Sequence, residues 1–124
     1  MKQKDNHVEA SLKREITRLY KATYGKGPET TVVRIFENIA IVRLEGALTQ
    51  LELSLIDTDK GSKLVREIRD RLVEEHVFIY VPVFEKIAKA KLDNLSYTIS
   101  NDKSTVYMFL IFEEVINKAE ITAV

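Results

Sequence analysis

The sequence contains no cysteine and only two histidines, His7 and His76. Without cysteine there is no disulfide, no thiolate nucleophile and no cysteine-based zinc site, so we expect a reducing, cytoplasmic setting. The two histidines have no carboxylates at a ligand spacing such as HExxH, and the serines lack the setting of a nucleophile elbow. The sequence therefore predicts no metal site, no cofactor and no catalytic residue.

Long apolar runs are also missing. The most apolar segments, Val77 to Val83 and Val106 to Phe112, are seven residues each, whereas a membrane-spanning helix needs about 20. The charged first residues lack the apolar region of a signal peptide. We expect a soluble protein that does not itself span a membrane.

Neither sign of charge is in excess, because 19 basic residues balance 19 acidic ones. A neutral chain has no overall field that would concentrate it on nucleic acid or on an anionic membrane, so nucleic acid is not an expected partner. At 124 residues the chain has the length of one domain, and we expect residues 1–124 to form a single domain.

The first segment predicts an amphipathic helix. Asn6 and Glu9 have the spacing of a capping box, and Gly25 is placed to end the helix in the left-handed conformation. Pro28 then requires an extended chain before it. The apolar positions recur at helical spacing: Val8, Leu12, Ile16, Leu19, Tyr20 and Thr23.

Two strand-like runs meet at Glu37 and Asn38, which predicts a β-hairpin whose register pairs Phe36 with Ile39. One face of this hairpin, the predicted core face, carries Thr31, Val33, Ile35, Ala40, Val42 and Leu44. The second face carries Val32, Arg34, Phe36, Ile39, Ile41 and Arg43. Because the second face is too apolar to stay in water, we expect a helix, other strands or a second subunit to cover it.

Helical patterns follow the hairpin. Thr49 and Glu52 predict the start of a short helix, which ends in a polar turn from Asp57 to Gly61. Its apolar positions are Leu48, Leu51 and Leu55. A longer helix is predicted next, with the apolar stripe Leu64, Val65, Ile68 and Leu72 and with solvated charges at Arg66, Glu67, Arg69, Asp70, Arg71 and Glu74. Val77 to Val81 resembles a strand locally, so this segment could be a strand or a helix. We expect a break near Tyr80 or Val81, followed by a helix from Pro82 to about Ala90.

The last third predicts a second hairpin. Leu95, Tyr97 and Ile99 alternate with polar residues as in a half-buried strand, residues 101–103 form the turn, and Thr105 to Phe112 form an inner strand that is apolar on both faces. Glu113 and Glu114 then begin a short helix or a frayed tail. The order α-ββ-α-α-ββ predicts an α+β fold with a four-stranded, mainly antiparallel sheet. Its predicted core includes Val42, Leu44, Ile68, Leu72, Phe109 and Ile111.

Three basic residues are candidates for an anion site. Lys26 lies between two glycines, but a phosphate-binding loop leads from a strand into a helix, whereas here a helix precedes, so a helix cap is the favoured interpretation. Arg34 and Arg43 share one hairpin face and could converge on a carboxylate or phosphate. Ion pairing within the protein, for example with Glu45, or across a subunit interface is the favoured alternative.

Three elements of the chain resemble the MpsC family: Tyr24 to Pro28 (Tyr-Gly-Lys-Gly-Pro), Arg43 to Thr49 (Arg-Leu-Glu-Gly-Ala-Leu-Thr) and Leu64 to Asp70 (Leu-Val-Arg-Glu-Ile-Arg-Asp). This small bacterial family takes its name from a sodium-translocating, membrane-potential-generating system. The family usually has a proline where this chain has Gln50, and a glycine late in the next helix that is absent here. The resemblance implies a cytoplasmic accessory or regulatory subunit and carries over no catalytic residue.

Two functions from different classes follow. The first is a non-enzymatic cytoplasmic interaction or accessory protein, with a protein partner at a membrane complex. The alternative is a small-molecule anion-binding protein or enzyme that uses Arg34, Arg43 and Lys26. In either case we expect a homo-oligomer, most simply a two-fold dimer. Its interface is predicted on the second hairpin face, at Val32, Phe36, Ile39 and Ile41.

Overall fold

A computed structural model describes residues 7–116 of the chain, which form three helices and four strands. The helices are α1 (His7–Tyr24), α2 (Gln50–Leu55) and α3 (Asp59–Ala88). The strands are β1 (Thr30–Phe36), β2 (Ile39–Glu45), β3 (Leu92–Ile99) and β4 (Val106–Phe112). This order confirms the predicted α+β architecture.

The four strands form one antiparallel sheet in the order β1-β2-β4-β3. The first hairpin has the predicted register, with Phe36 opposite Ile39, and Glu37 takes a positive φ of 56° in its turn. The second hairpin turns at residues 101–103 as predicted. Strand β4 pairs with both β2 and β3, which confirms that it is an inner strand.

Both long helices pack on one face of the sheet. The Glu9 carboxylate accepts a hydrogen bond from the Ile35 backbone N–H at 2.9 Å, and the Thr17 hydroxyl donates to the Thr31 hydroxyl at 2.9 Å, so α1 runs along β1. Residues of both helices join the core face of the sheet in one buried cluster. The core-face residues Val33, Ala40, Val42 and Leu44 are buried as predicted.

Helix α1 follows its predicted pattern. Its buried residues are Val8, Leu12, Ile16, Leu19 and Tyr20. Gly25 ends the helix with φ +79°, and its N–H donates to the Lys21 carbonyl at 2.8 Å, which confirms the predicted left-handed cap. Asn6, the other half of the predicted capping box, lies outside the described residues.

Helix α2 begins with the predicted capping box. The Thr49 N–H donates to the Glu52 carboxylate at 2.9 Å, and the Glu52 N–H donates to the Thr49 hydroxyl at 3.2 Å. Leu48 is buried as predicted, but Leu51 is 67% exposed, so its assignment to the apolar side was wrong. The α2 helix is only six residues long, and Leu51 falls on its outer side.

The polar turn after α2 is shorter than predicted. Thr58 caps α3 by accepting a hydrogen bond from the Gly61 N–H at 2.9 Å, so Gly61 is helical rather than part of the turn. A Cβ at position 61 would stand 1.6 Å from the Leu55 carbonyl oxygen. Only glycine permits this close approach between the end of α2 and the start of α3.

The predicted apolar stripe of α3 is wrong in phase. Val65 is buried, but Leu64 and Ile68 are 44% and 38% exposed, and Leu72 is only half-buried. Arg69, predicted as solvated, is 2% exposed. The buried side of α3 consists of Gly61, Val65, Arg69, Phe84 and Ala88. Its phase was obscured because a charged residue occupies a central core position.

The predicted break near Tyr80 or Val81 is also wrong, because α3 continues without interruption and contains Pro82. Proline inside a helix removes a hydrogen bond to the carbonyl four residues before it. Here both Pro82 and Phe78 lie on the exposed side of the helix, where water can hydrogen-bond to the unpaired carbonyl. The cost of the proline is therefore reduced at this position.

The side of strand β4 that faces the core is the opposite of the one predicted. Phe109 and Ile111 are half-buried on the face away from the helices, because they pair with Ile41 and Ile39. The residues of β4 in the core are Val106, Leu110 and Phe112. Glu113 and Glu114 form a bend rather than the start of a helix, and the predicted tail beyond residue 116 lies outside the described residues.

Candidate functional site

A buried ion pair joins α3 to α2. The Arg69 Nε donates to Glu52 Oε2 and the Arg69 Nη2 donates to Glu52 Oε1, both at 2.7 Å. The two side chains are 2% and 7% exposed. Arg69 Nη2 also lies 3.3 Å from the Ala47 carbonyl oxygen. This bidentate geometry is the strongest form of a carboxylate–guanidinium contact, and it satisfies both groups in the interior.

Tyrosines surround the Arg69 guanidinium. Its central carbon lies 4.3 Å from the centre of the Tyr24 ring and 5.6 Å from that of Tyr20, within the range of cation–π attraction. The Tyr20 hydroxyl donates to the Ala47 carbonyl at 2.6 Å. The Tyr97 hydroxyl donates to the Asp70 carboxylate at 2.7 Å. The guanidinium is thus held between aromatic rings from α1 and a carboxylate from α2.

The protonation of this centre is fixed by its contacts. Burial alone would raise the pKa of Glu52, but the hydrogen bonds from Arg69 and from the Thr49 backbone outweigh burial and lower it. Burial alone would lower the pKa of Arg69, but its bonds to Glu52 outweigh burial and raise it. Burial raises the pKa of Tyr20 to about 12 and also raises that of Tyr24. At neutral pH the pair is ionised and the tyrosines are neutral.

The three segments that carry the family resemblance meet at this centre. Tyr24 belongs to the first segment, and Arg69 belongs to the third. The loop between β2 and α2 belongs to the second, and the Lys26 Nζ donates to its Gly46 and Leu48 carbonyls at 3.2 Å each. Each carbonyl from Gly46 to Leu48 therefore receives a hydrogen bond from a side chain. These contacts give the three segments a role in stabilising the fold.

The cavity beside Arg69 has a volume of about 50 Å³ and is lined mainly by aromatic and aliphatic side chains. That volume accommodates a few water molecules but not an organic substrate. Sequence reasoning missed Arg69 because its partner lies on a different helix. The available signal was the four-residue spacing of Gly61, Val65 and Arg69, which marks one side of α3.

The structure does not bring the three predicted anion-binding residues together. Arg43 forms an ion pair with Glu45, with Nε and Oε2 2.9 Å apart, and Lys26 bonds to backbone carbonyls. Arg43 and Lys26 do line one cleft, which also contains the acids Glu29, Glu45 and Asp102. Arg34 lines a separate cleft beside α1 and donates to the Val33 carbonyl at 2.9 Å. An anion site on these residues stays a prediction, and the neighbouring carboxylates do not favour it.

The second hairpin face remains uncovered by any helix of the described residues. We call this surface the open face; it consists of Val32, Arg34, Phe36, Ile39, Ile41 and Arg43 together with Tyr107, Phe109 and Ile111. The strand register places Ile39 between Phe36 and Ile111, and Ile41 beside Phe109. All four predicted interface residues therefore lie on a face with a continuous apolar cluster.

No group of three or more acidic or imidazole side chains suited to a metal ion occurs within residues 7–116. His76 instead contacts the Leu72 carbonyl through Nδ1 at 2.8 Å and stacks on Tyr80 with ring centres 6.0 Å apart. Among the helices that the structure describes, none has the length and hydropathy to cross a membrane.

These features define a small α+β domain with a buried arginine–glutamate centre and one open sheet face. The chain belongs to the MpsC family, whose description is "Na+-translocating membrane potential-generating system (MpsC)" and whose pattern matches residues 4–114. This match confirms the predicted resemblance.

Two proteins of Bacillus subtilis (strain 168) are similar to this chain. The uncharacterized protein YrhF is 28% identical over 104 residues, which cover 83% of this chain and 85% of YrhF. The uncharacterized protein YbcI is 25% identical over 101 residues, which cover 82% of each chain. No solved structure matches.

Proposed function

We propose that this protein is a non-enzymatic accessory subunit that acts in the cytoplasm by binding proteins of a sodium-translocating, membrane-potential-generating system. The family description supports the association with such a system. The observation that carries a role in protein–protein assembly is the open face, where Phe36 is 65% exposed and Ile41 is 38% exposed. Contiguous apolar side chains on a sheet face that no helix within residues 7–116 covers are typical of an interaction surface.

The open face has the width of three strands. Three strands about 4.8 Å apart and seven residues long give an outline of roughly 14 by 24 Å. This outline is below the roughly 800 Å² that each partner contributes to a standard interface, so the proposed contact lies at the small end of the size range. Two such faces pack well at about 10 Å separation, as in β-sandwiches.

The first occupant that we propose for the open face is a second copy of the chain. A two-fold axis applies the same patch to both subunits, so one moderately apolar face is sufficient. The cluster of Phe36, Ile39 and Ile41 would be at the centre of this contact. Helix α1 does not compete for the face within one chain, because it packs beside β1 and on the core. The exposed Arg34 and Arg43 flank the cluster and would keep water contacts at the rim.

The interface is tested by replacing Phe36 or Ile41 with aspartate and measuring molar mass by light scattering. We expect Phe36→Asp and Ile41→Asp to remain folded and to form smaller assemblies than the wild type, because a buried unpaired carboxylate opposes association. Leu51→Asp is the matched control, since Leu51 is 67% exposed and belongs to α2, outside the open face. A mass that is the same in all four proteins would reject the open face as the interface.

The accessory role is tested in cells by deleting the gene and recording the sodium-dependent membrane potential with a voltage-sensitive dye. We expect deletion to reduce the potential, the wild-type gene to restore it, and Phe36→Asp to restore it poorly at equal protein level. Leu51→Asp should restore it fully. An unchanged potential after deletion would reject the association, whatever the oligomeric state of the purified protein.

A further inference from the structure

Helix α3 carries a second apolar surface, on the side that the sequence pattern had assigned to the core. Leu64, Ile68 and Ile79 are 44%, 38% and 46% exposed, and residues spaced by three and four positions share one side of a helix. We call this surface the outer stripe of α3; it consists of Leu64, Ile68, Arg71, Leu72, Glu75, Ile79 and Pro82. It extends over about 27 Å of the helix.

The outer stripe takes little part in the packing of the domain, because only Leu72 among its residues is half-buried and the others are exposed. The residues of α3 that are buried, among them Val65, Arg69 and Phe84, lie on a different side of the helix. A helix in a two-layer domain needs only one apolar side, so a second exposed one indicates a contact with another molecule. The open face belongs to the sheet layer and the outer stripe belongs to the helix layer, so both can be occupied at the same time.

Two opposite charges interrupt the outer stripe. Arg71 and Glu75 are one helical turn apart, and neither takes part in an ion pair within the described residues. Their order along the helix is the less favourable one for pairing within it. A partner helix that runs antiparallel could bring a glutamate to Arg71 and an arginine to Glu75.

The same stripe on a second copy supplies that pattern. If two α3 helices pair antiparallel about a two-fold axis at the level of residue 73, Arg71 of each copy faces Glu75 of the other. The same register sets Leu64 opposite Pro82. Ile68 then lies close to Ile79 of the second copy, so apolar side chains meet apolar ones. A parallel pair would instead place like charges against each other.

We propose that the outer stripe of α3 binds the outer stripe of a second copy in this antiparallel register. Together with pairing through the open face, this contact gives each chain two different two-fold interfaces. Where the two two-fold axes intersect at right angles, such a chain closes into a four-chain assembly with dihedral symmetry, the commonest symmetry after the simple dimer. The outer stripe does not depend on the proposed association with sodium transport.

The test uses charge reversal in a Phe36→Asp background, which removes the contribution of the open face. We expect Phe36→Asp alone to form a dimer through α3. Adding Arg71→Glu or Glu75→Arg should weaken this dimer by about tenfold or more, because each creates a like-charge contact. The combination of both reversals should restore the dimer, because it re-creates the complementary pair with the signs exchanged.

The readouts are molar mass by light scattering over a range of concentrations and helicity by circular dichroism. Unchanged helicity with a reduced mass identifies a loss of association rather than a loss of folding. A monomeric Phe36→Asp variant would leave the outer stripe to a different partner and would overturn the assignment to a second copy. So would a double reversal that stays as weak as the single ones. If Phe36→Asp has the same mass as the wild type, the proposed dimer through the open face is rejected. The charge reversals at Arg71 and Glu75 then still test whether the outer stripe pairs with a second copy.

Discussion

The guanidinium of Arg69 and the carboxylate of Glu52 are joined by two parallel hydrogen bonds of 2.7 Å each in the interior of the protein. The two residues belong to different helices and are 17 positions apart in the chain. Removing one member leaves the other charged and without a partner, which costs far more than the net value of the pair.

We therefore expect Arg69→Met to destabilise the protein by about 3–5 kcal/mol in urea unfolding. The control is Arg18→Ala, because Arg18 pairs with Glu15 at 2.7 Å but is 61% exposed. Loss of that exposed pair should cost less than about 1 kcal/mol. Equal losses in the two variants would contradict the central role of Arg69.

Acid should destabilise the wild type through Glu52. Its pKa is lower in the folded protein than in the unfolded chain, so its ionised form stabilises the fold above the unfolded value of about 4.3. That contribution is lost as the pH falls through the lowered folded pKa. In the range below about pH 4.3, we expect the urea midpoint of the wild type to decrease with falling pH more steeply than the midpoint of the Glu52→Gln variant. Parallel curves would show that Glu52 does not contribute to the acid transition.

Two phenylalanines of α3 test the corrected phase of the helix. Phe84 is 2% exposed and Phe78 is 69% exposed. We expect Phe84→Ala to cost about 3–5 kcal/mol because it leaves a cavity in the core. Phe78→Ala should change the free energy of unfolding by less than about 0.5 kcal/mol. Thermal melts of the two variants provide the comparison, and a similar loss of stability in both would reject the phase.

Lys26 should act on stability rather than on anion binding. Its two hydrogen bonds to the carbonyls of Gly46 and Leu48 lead us to expect that Lys26→Met lowers the free energy of unfolding by about 1 kcal/mol. Phosphate should shift the melting temperature of the wild type no more than that of the Lys26→Met and Arg43→Met variants. A phosphate-induced stabilisation that both substitutions abolish would instead support the anion site.

Much of the fold was predictable from local signals. The Glu37-Asn38 turn, the Gly25 cap and the Thr49 capping box each depend on a few adjacent residues, so the sequence identifies them directly. Strand β4 is different. It is apolar on both faces, and only its pairing with β2 decides that Leu110 faces the core and Phe109 faces the open side.

The buried centre could not be predicted in the same way. A charged residue in a helix is normally solvated, and only the approach of Glu52 makes the burial of Arg69 acceptable. Pro82 led to the wrong prediction of a helix break for a related reason. The free-energy cost of this proline depends on whether water reaches the carbonyl of Phe78, four residues earlier. The hairpin part of the open face was predicted because it needed only the alternation of one hairpin, whereas its β4 residues Phe109 and Ile111 were wrongly assigned to the core. The outer stripe of α3 required knowledge of which helix side was already buried.

The Glu52 carboxylate serves two helices at once. It completes the capping box at the start of α2, and it holds Arg69 of α3. A helix of six residues does not form by itself in water, so α2 depends on its contact with α3 to exist at all. The backbone amides of α2 should therefore exchange with solvent at the same rate as those around Arg69, as one cooperative unit, rather than fray independently as short surface helices do.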